Sequence, residues 1–120
     1  SGGASLAIEY VLKEIGVDVI RISRNPQGEE QFSYKEVNEH MMRACKLVVN
    51  CTPLGTYPNV EEKVDLPYAY FTDEHLAVDL IYNPSKTKFL TLAEVQGAAI
   101  LNGESMLQHQ ALEAYRFWNL

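Results

Sequence analysis

Cysteine is scarce in this chain: only Cys45 and Cys51 occur in 120 residues. Two thiols set among apolar residues exclude a disulfide-framed domain and fit small buried groups in a reducing compartment, so the cytoplasm is the expected location. Positive charge is also short. Ten Lys and Arg face 16 Asp and Glu, for a net charge of −6. No face then carries enough cations to neutralise a phosphate backbone, and nucleic acid is not an expected partner. No apolar run approaches the roughly 20 residues needed to span a bilayer, and no signal-peptide pattern is present, so no membrane is expected. His40, His75 and His109 lack ligand spacing among themselves or with the cysteines, which argues against a metal. No acid/base pair stands out either, so no catalytic residue is assigned. Repeats, low-complexity tracts and linkers are missing.

What is present fits a single domain. At 120 residues with 47% hydrophobic content, the chain is long enough to bury roughly two-thirds of its unfolded surface. Leu6, Ala7, Tyr10, Val11 and Ile15 have helical spacing, closed by Gly16. Val17–Ile22 reads as a buried strand and Gln31–Ser33 as a short edge strand. Ser33 and Glu36 form a capping-box pattern for a helix through Val37, Met41 and Ala44. Leu47–Asn50, Leu76–Tyr82 and Ala98–Leu101 read as further strands, and Thr87–Gln96 as a helix ended by Gly97. The acidic stretch 59–73 reads as a surface excursion. A last helix carries Leu107, Ala111, Ala114 and Trp118 along one side. Strands alternating with helices predict an α/β fold with a mostly parallel sheet flanked by helices.

The special residues share one kind of place. Ser1 to Ala4, Ser23 to Asn25, Thr52 to Tyr57, Tyr82 and Gly103 all fall at or just past the carboxyl end of an expected strand, where open α/β sheets bind ligands. Gly2 and Gly3 at a helix start let backbone N–H groups approach a pyrophosphate, with the helix dipole favouring its charge. About 20 residues on, nucleotide folds specific for NAD usually place an acid that binds the ribose hydroxyls. Here Ser23, Arg24 and Asn25 hold that place. A guanidinium pairs with a 2′-phosphate and lies over adenine, so NADP is predicted over NAD. The Thr52-Pro53-Leu54-Gly55 loop suits the wall of a nicotinamide pocket, and serves equally as a plain turn. Tyr82 and Gln110 carry polar tips suited to a small hydroxylated substrate, or are ordinary amphipathic residues.

Taken together, several stretches resemble the C-terminal, NADP-binding half of the shikimate dehydrogenases. They are Gly2-Gly3-Ala4-Ser5, Ser23-Arg24-Asn25, Asn50-Cys51-Thr52-Pro53-Leu54-Gly55, Asp79-Leu80-Ile81-Tyr82-Asn83-Pro84 followed by Thr87, and Asn102-Gly103 before Met106-Leu107 and Gln110-Ala111. Order and spacing hold across nearly all 120 residues. The resemblance implies reduction of 3-dehydroshikimate to shikimate with NADPH, on the route to aromatic amino acids. It implies that Gly2, Gly3 and Ala4 hold the pyrophosphate and that Ser23, Arg24 and Asn25 grip the 2′-phosphate. Leu80, Gly103 and Met106 would lie near the nicotinamide, with Thr52 also on the coenzyme, and Tyr82 and Gln110 would touch shikimate.

Three departures from the family pattern qualify the match. Ser23 replaces the usual asparagine, and Thr56 replaces a methionine after the Pro-Leu-Gly loop. The first glycine of the turn and the strand before it are not in the sequence, and the family's catalytic lysine and aspartate belong to an N-terminal domain. Residues 1–120 are therefore expected to be a Rossmann-like NADP-binding domain truncated before its first strand, and inactive alone. In the sheet order 3-2-1-4-5-6 the first strand is central. Its absence predicts a gap between the second and fourth strands, filled by upstream residues or by a strand swapped from a second copy. Two other readings stay open: a non-catalytic nucleotide-binding module, and a dehydrogenase that also accepts quinate.

Overall fold

The computed structural model describes residues 2–104. Helix α1 (Gly2–Glu14) ends at Gly16, whose φ of 86° is a left-handed value that glycine adopts without a Cβ clash. The N–H groups of Gly16 and Val17 donate to the carbonyls of Lys13 and Leu12, closing the helix end. Strands β1 (Arg21–Ile22) and β2 (Gln31–Phe32) then pair in parallel. Next come a 3₁₀ turn at Tyr34–Glu36, α2 (Glu39–Ala44), β3 (Leu47–Asn50), a second 3₁₀ turn at Tyr68–Tyr70 and β4 (Leu76–Asp79). Helix α3 (Lys88–Val95) and β5 (Ala99–Leu101) complete the described elements. Strands β3, β4 and β5 form a parallel sheet in that order, with Val49 opposite Val78 and Ala77 opposite Ile100. No helix among the described residues is long and apolar enough to cross a membrane.

The gap expected in the sheet is there. Among the described residues β1 bonds only β2, and β3 bonds only β4, so the strands run β2-β1, then an interruption, then β3-β4-β5. A cleft of about 1220 Å³ fills the interruption, lined on one side by Ile20 and Ile22, on the other by Leu47 and Val49, and by Ile8 and Leu12 of α1. This explains why the strand expected at Val17–Ile22 forms a ladder only at Arg21–Ile22. Val17 to Ile20 have the composition of a strand but no neighbour on the open side, and a ladder requires one. Val17 and Ile20 are each 40% exposed for the same reason.

Three other expectations change. The Ser33–Glu36 pattern does not start a long helix. Glu36 bonds the Ser33 N–H at 2.9 Å, but the turn ends in extended backbone at Val37, and Asn38 caps α2 afresh by accepting from Met41 N–H. The 59–73 stretch is not merely a surface excursion. Val64 and Phe71 are buried in the core with Met42, Phe89 and Leu90, and Phe71 meets Phe89 edge-on at 6.2 Å. The ladder of β4 stops at Asp79 rather than reaching Tyr82, because the Asp79 carboxylate turns to bond the Ile81 N–H. The expected C-terminal helix lies outside the described residues.

His75 locks the start of β4. Its ring is 2% exposed, with Nδ1 accepting from Thr72 N–H at 3.0 Å and Nε2–H donating to the Met42 carbonyl at 2.7 Å. The neutral Nε2–H tautomer satisfies both contacts. His75→Leu leaves two backbone groups without this partner and should cost about 2–3 kcal/mol in a urea melt. An unchanged midpoint would show that the ring merely fills space.

Candidate functional site

The carboxyl ends of the strands gather most of the residues singled out by sequence. At the end of β1, Ser23 N–H donates to the Phe32 carbonyl at 3.0 Å, and Ser23 Oγ accepts from Asn25 N–H at 3.0 Å. This tight turn holds Ser23 half-buried and leaves Arg24 and Asn25 exposed at the cleft mouth. Arg24 has no carboxylate partner among the described residues. Gly2, Gly3 and Ala4 form the first turn of α1, which carries no acidic residue to offset the helix dipole. They therefore lie within the helix rather than in a turn before it.

An ion pair fixes this helix to the sheet. Arg21 Nη2 of β1 bonds Glu9 Oε2 of α1, and Lys13 bonds Glu9 Oε1 at 3.0 Å. Lys13 and Arg21 together hold the Glu9 carboxyl below the usual glutamate range.

On the other side of the cleft, the site is built around Asp79, which has no exposed surface. Its Oδ1 accepts from Asn50 Nδ2 at 3.2 Å and from Ile81 N–H at 3.0 Å; its Oδ2 accepts from Thr87 Oγ1 at 2.6 Å. Asn50 Oδ1 in turn accepts from the Thr52 hydroxyl at 2.8 Å and from its N–H at 3.1 Å. Thr87 Oγ1 also caps α3 by accepting from Leu90 N–H. Burial pushes the Asp79 carboxyl up, while the Thr87, Ile81 and Asn50 bonds work in the opposite direction. With both oxygens engaged, Asp79 shapes loops rather than trading protons.

Leu80 and Gly103 come together as well. Gly103 N–H donates to the Ile81 carbonyl at 3.1 Å, and a Cβ at Gly103 would fall well inside contact distance of the Leu80 carbonyl. Only glycine fits there. Tyr82 lies at the same edge with 61% of its surface exposed. Met106 and Gln110 lie outside the described residues. Sequence reasoning missed two members of the cleft wall, Tyr34 and Lys35. Nor did it name Asn50 and Thr87 as partners of Asp79; the Asn at a strand end and the Thr at a helix start were the available signals. The described residues include no cluster of metal-ligating side chains. The arrangement can hold and orient an anionic ligand across the strand ends, with backbone donors on α1 and the Arg24 guanidinium, which has no carboxylate partner among the described residues.

Two outcomes follow from this geometry. Gly103→Ala should cost about 3 kcal/mol in urea unfolding, because the backbone of Leu80 cannot yield cheaply. Asp79 binds its proton more tightly in the folded chain, so its contribution to stability is greatest at low pH and falls as pH rises through its raised value. Asp79→Asn should flatten that part of the stability–pH curve from about pH 4 upward; an identical slope in both proteins would show that Asp79 does not titrate there.

Comparison with known proteins bears on what the site belongs to. No protein-family model matches the chain. A shikimate dehydrogenase (NADP(+)) of Clostridium botulinum is 36% identical over all of this chain and 49% of its own length. The crystal structure of shikimate 5-dehydrogenase from Thermus thermophilus, in complex with NADP(H) and shikimate, superposes with a TM-score of 0.74 at 33% identity, covering 98% of this chain and 46% of that one. A chorismate mutase/shikimate 5-dehydrogenase fusion protein from Clostridium acetobutylicum gives 0.72 at 37% identity, covering 99% and 44%. The chain thus spans about half the length of the relatives it matches. Along its whole length this chain is similar to about half of these shikimate dehydrogenases, and it shares their Rossmann-like fold.

Proposed function

We propose that residues 1–120 are the NADP-binding domain of a two-domain shikimate dehydrogenase, which reduces 3-dehydroshikimate to shikimate in aromatic amino-acid biosynthesis. The observation that carries this reading is the end of β1: Ser23, Arg24 and Asn25 stand there with no acid, and the Arg24 guanidinium is free of carboxylates among the described residues. That chemistry suits a phosphorylated ribose and disfavours a bare one. The relatives named above for NADP support the same choice.

In this reading the bound coenzyme supplies the hydride. The chain supplies position. Gly2, Gly3 and Ala4 offer N–H groups and the helix dipole to the pyrophosphate. Ser23, Arg24 and Asn25 hold the 2′-phosphate, and Thr52 borders the coenzyme from the β3 side. Leu80 and Gly103, pressed together, form the floor beside the nicotinamide, with Met106 close by. Tyr82 and Gln110 reach the substrate. The proton chemistry would belong to a separate N-terminal domain. A strand from the polypeptide preceding α1 fills the cleft between β1 and β3, since βαβ connections return the chain to the neighbouring parallel position. The half-buried positions of Cys45 and Cys51 suit a cytoplasmic protein.

Arg24→Ala in the full-length enzyme should raise the KM for NADPH about tenfold or more, and leave that for shikimate nearly unchanged. Equal effects on both constants would defeat the assignment. Size-exclusion chromatography bears on the cleft: a monomer fits a strand supplied in the same chain, and a strand-exchanged homodimer would replace that part of the proposal.

A further inference from the structure

Arg24 has a companion. Among the described residues, every lysine and arginine except three meets a carboxylate, and one of those three, Lys63, lies over the Tyr68 ring at 5.8 Å. The remaining two are Arg24 and Lys35, and both line the same cleft. In a chain of net charge −6, two cations without a carboxylate partner in one cleft favour an anion there. Tyr34 lines the same cleft, half-buried, with no hydrogen bond to its hydroxyl among the described residues. Burial pushes that phenol up against the opposing pull of the Arg24 charge, so the hydroxyl stays protonated as a donor.

A phosphate monoester carries between about one and a half and two negative charges at neutral pH. One guanidinium neutralises only part of that. The 3₁₀ turn that follows β2 brings the second cation and a neutral O–H donor to the same cleft, while its own acid, Glu36, is spent on the Ser33 N–H. We infer that Lys35 and the Tyr34 hydroxyl complete the 2′-phosphate site begun by Arg24, and set the preference for the phosphorylated coenzyme. This inference rests on the NADP reading above and adds two residues to it.

The test compares NADPH and NADH binding by fluorescence titration of the full-length protein and its variants. Lys35→Gln should weaken NADPH about fivefold and leave NADH unchanged, while Lys35→Arg retains most of the affinity. Tyr34→Phe should weaken NADPH about two- to threefold, again without effect on NADH. Lys35 is exposed, and matching urea midpoints would show its variants to be folded. Equal losses for both coenzymes, or none for either, would overturn the inference. Arg24→Ala separates the two levels. If it leaves the preference for NADPH intact, the NADP reading itself fails. If it removes the preference while Lys35→Gln and Tyr34→Phe do not reduce it, only the present inference fails.

Discussion

A single buried carboxylate organises the ligand edge of this fold. Asp79 ends β4, and its three donors come from the end of β3, the turn after β4 and the cap of α3. A charge with no exposed surface persists only when its lone pairs are filled. Among the described residues an amide, a hydroxyl and a backbone N–H fill them. The arrangement couples three segments that are distant in sequence, because moving any one of them would strand part of the carboxylate. The loop from Thr52 to Gly55 takes its course from the same source, since Asn50 accepts from Thr52 with one end of its amide and donates to Asp79 with the other.

The core beneath this edge is made by aromatic packing more than by sheet area. Tyr68, Phe71 and Phe89 meet in stacked and edge-on pairs, and Phe71 also contacts the His75 ring. Strand β4 is buried on both faces at Ala77 and Val78, as a central parallel strand should be. The elements around it are short, and their stability comes from what they cover.

Much of this was legible in the residues. Gly16 and Gly97 were read as helix ends, and Thr87 as the start of α3, because those residue types have a local physical reason to be there. The alternation of strands and helices carried the fold class, and the polar residues at strand ends marked the ligand edge. What was not legible depended on distant partners. The shortened β1 reflects a missing neighbour rather than its own composition. Val37 and Asn38 split a helical pattern because a capping side chain outcompeted propagation. The 59–73 stretch looked solvated because its acids and its proline interrupt any regular apolar spacing, yet Val64 and Phe71 are anchors in the core. Lys35 carried no signal at all until the fold placed it on the same cleft as Arg24.

The interruption in the sheet divides the described molecule into two hydrogen-bonded bodies, one holding Arg24 and the other holding Thr52 and Gly103. No ladder crosses between them. A strand in the cleft, as proposed above, would join them into one continuous sheet. A dinucleotide lying along the strand ends would touch both, acting as a clasp whose binding energy becomes folding energy.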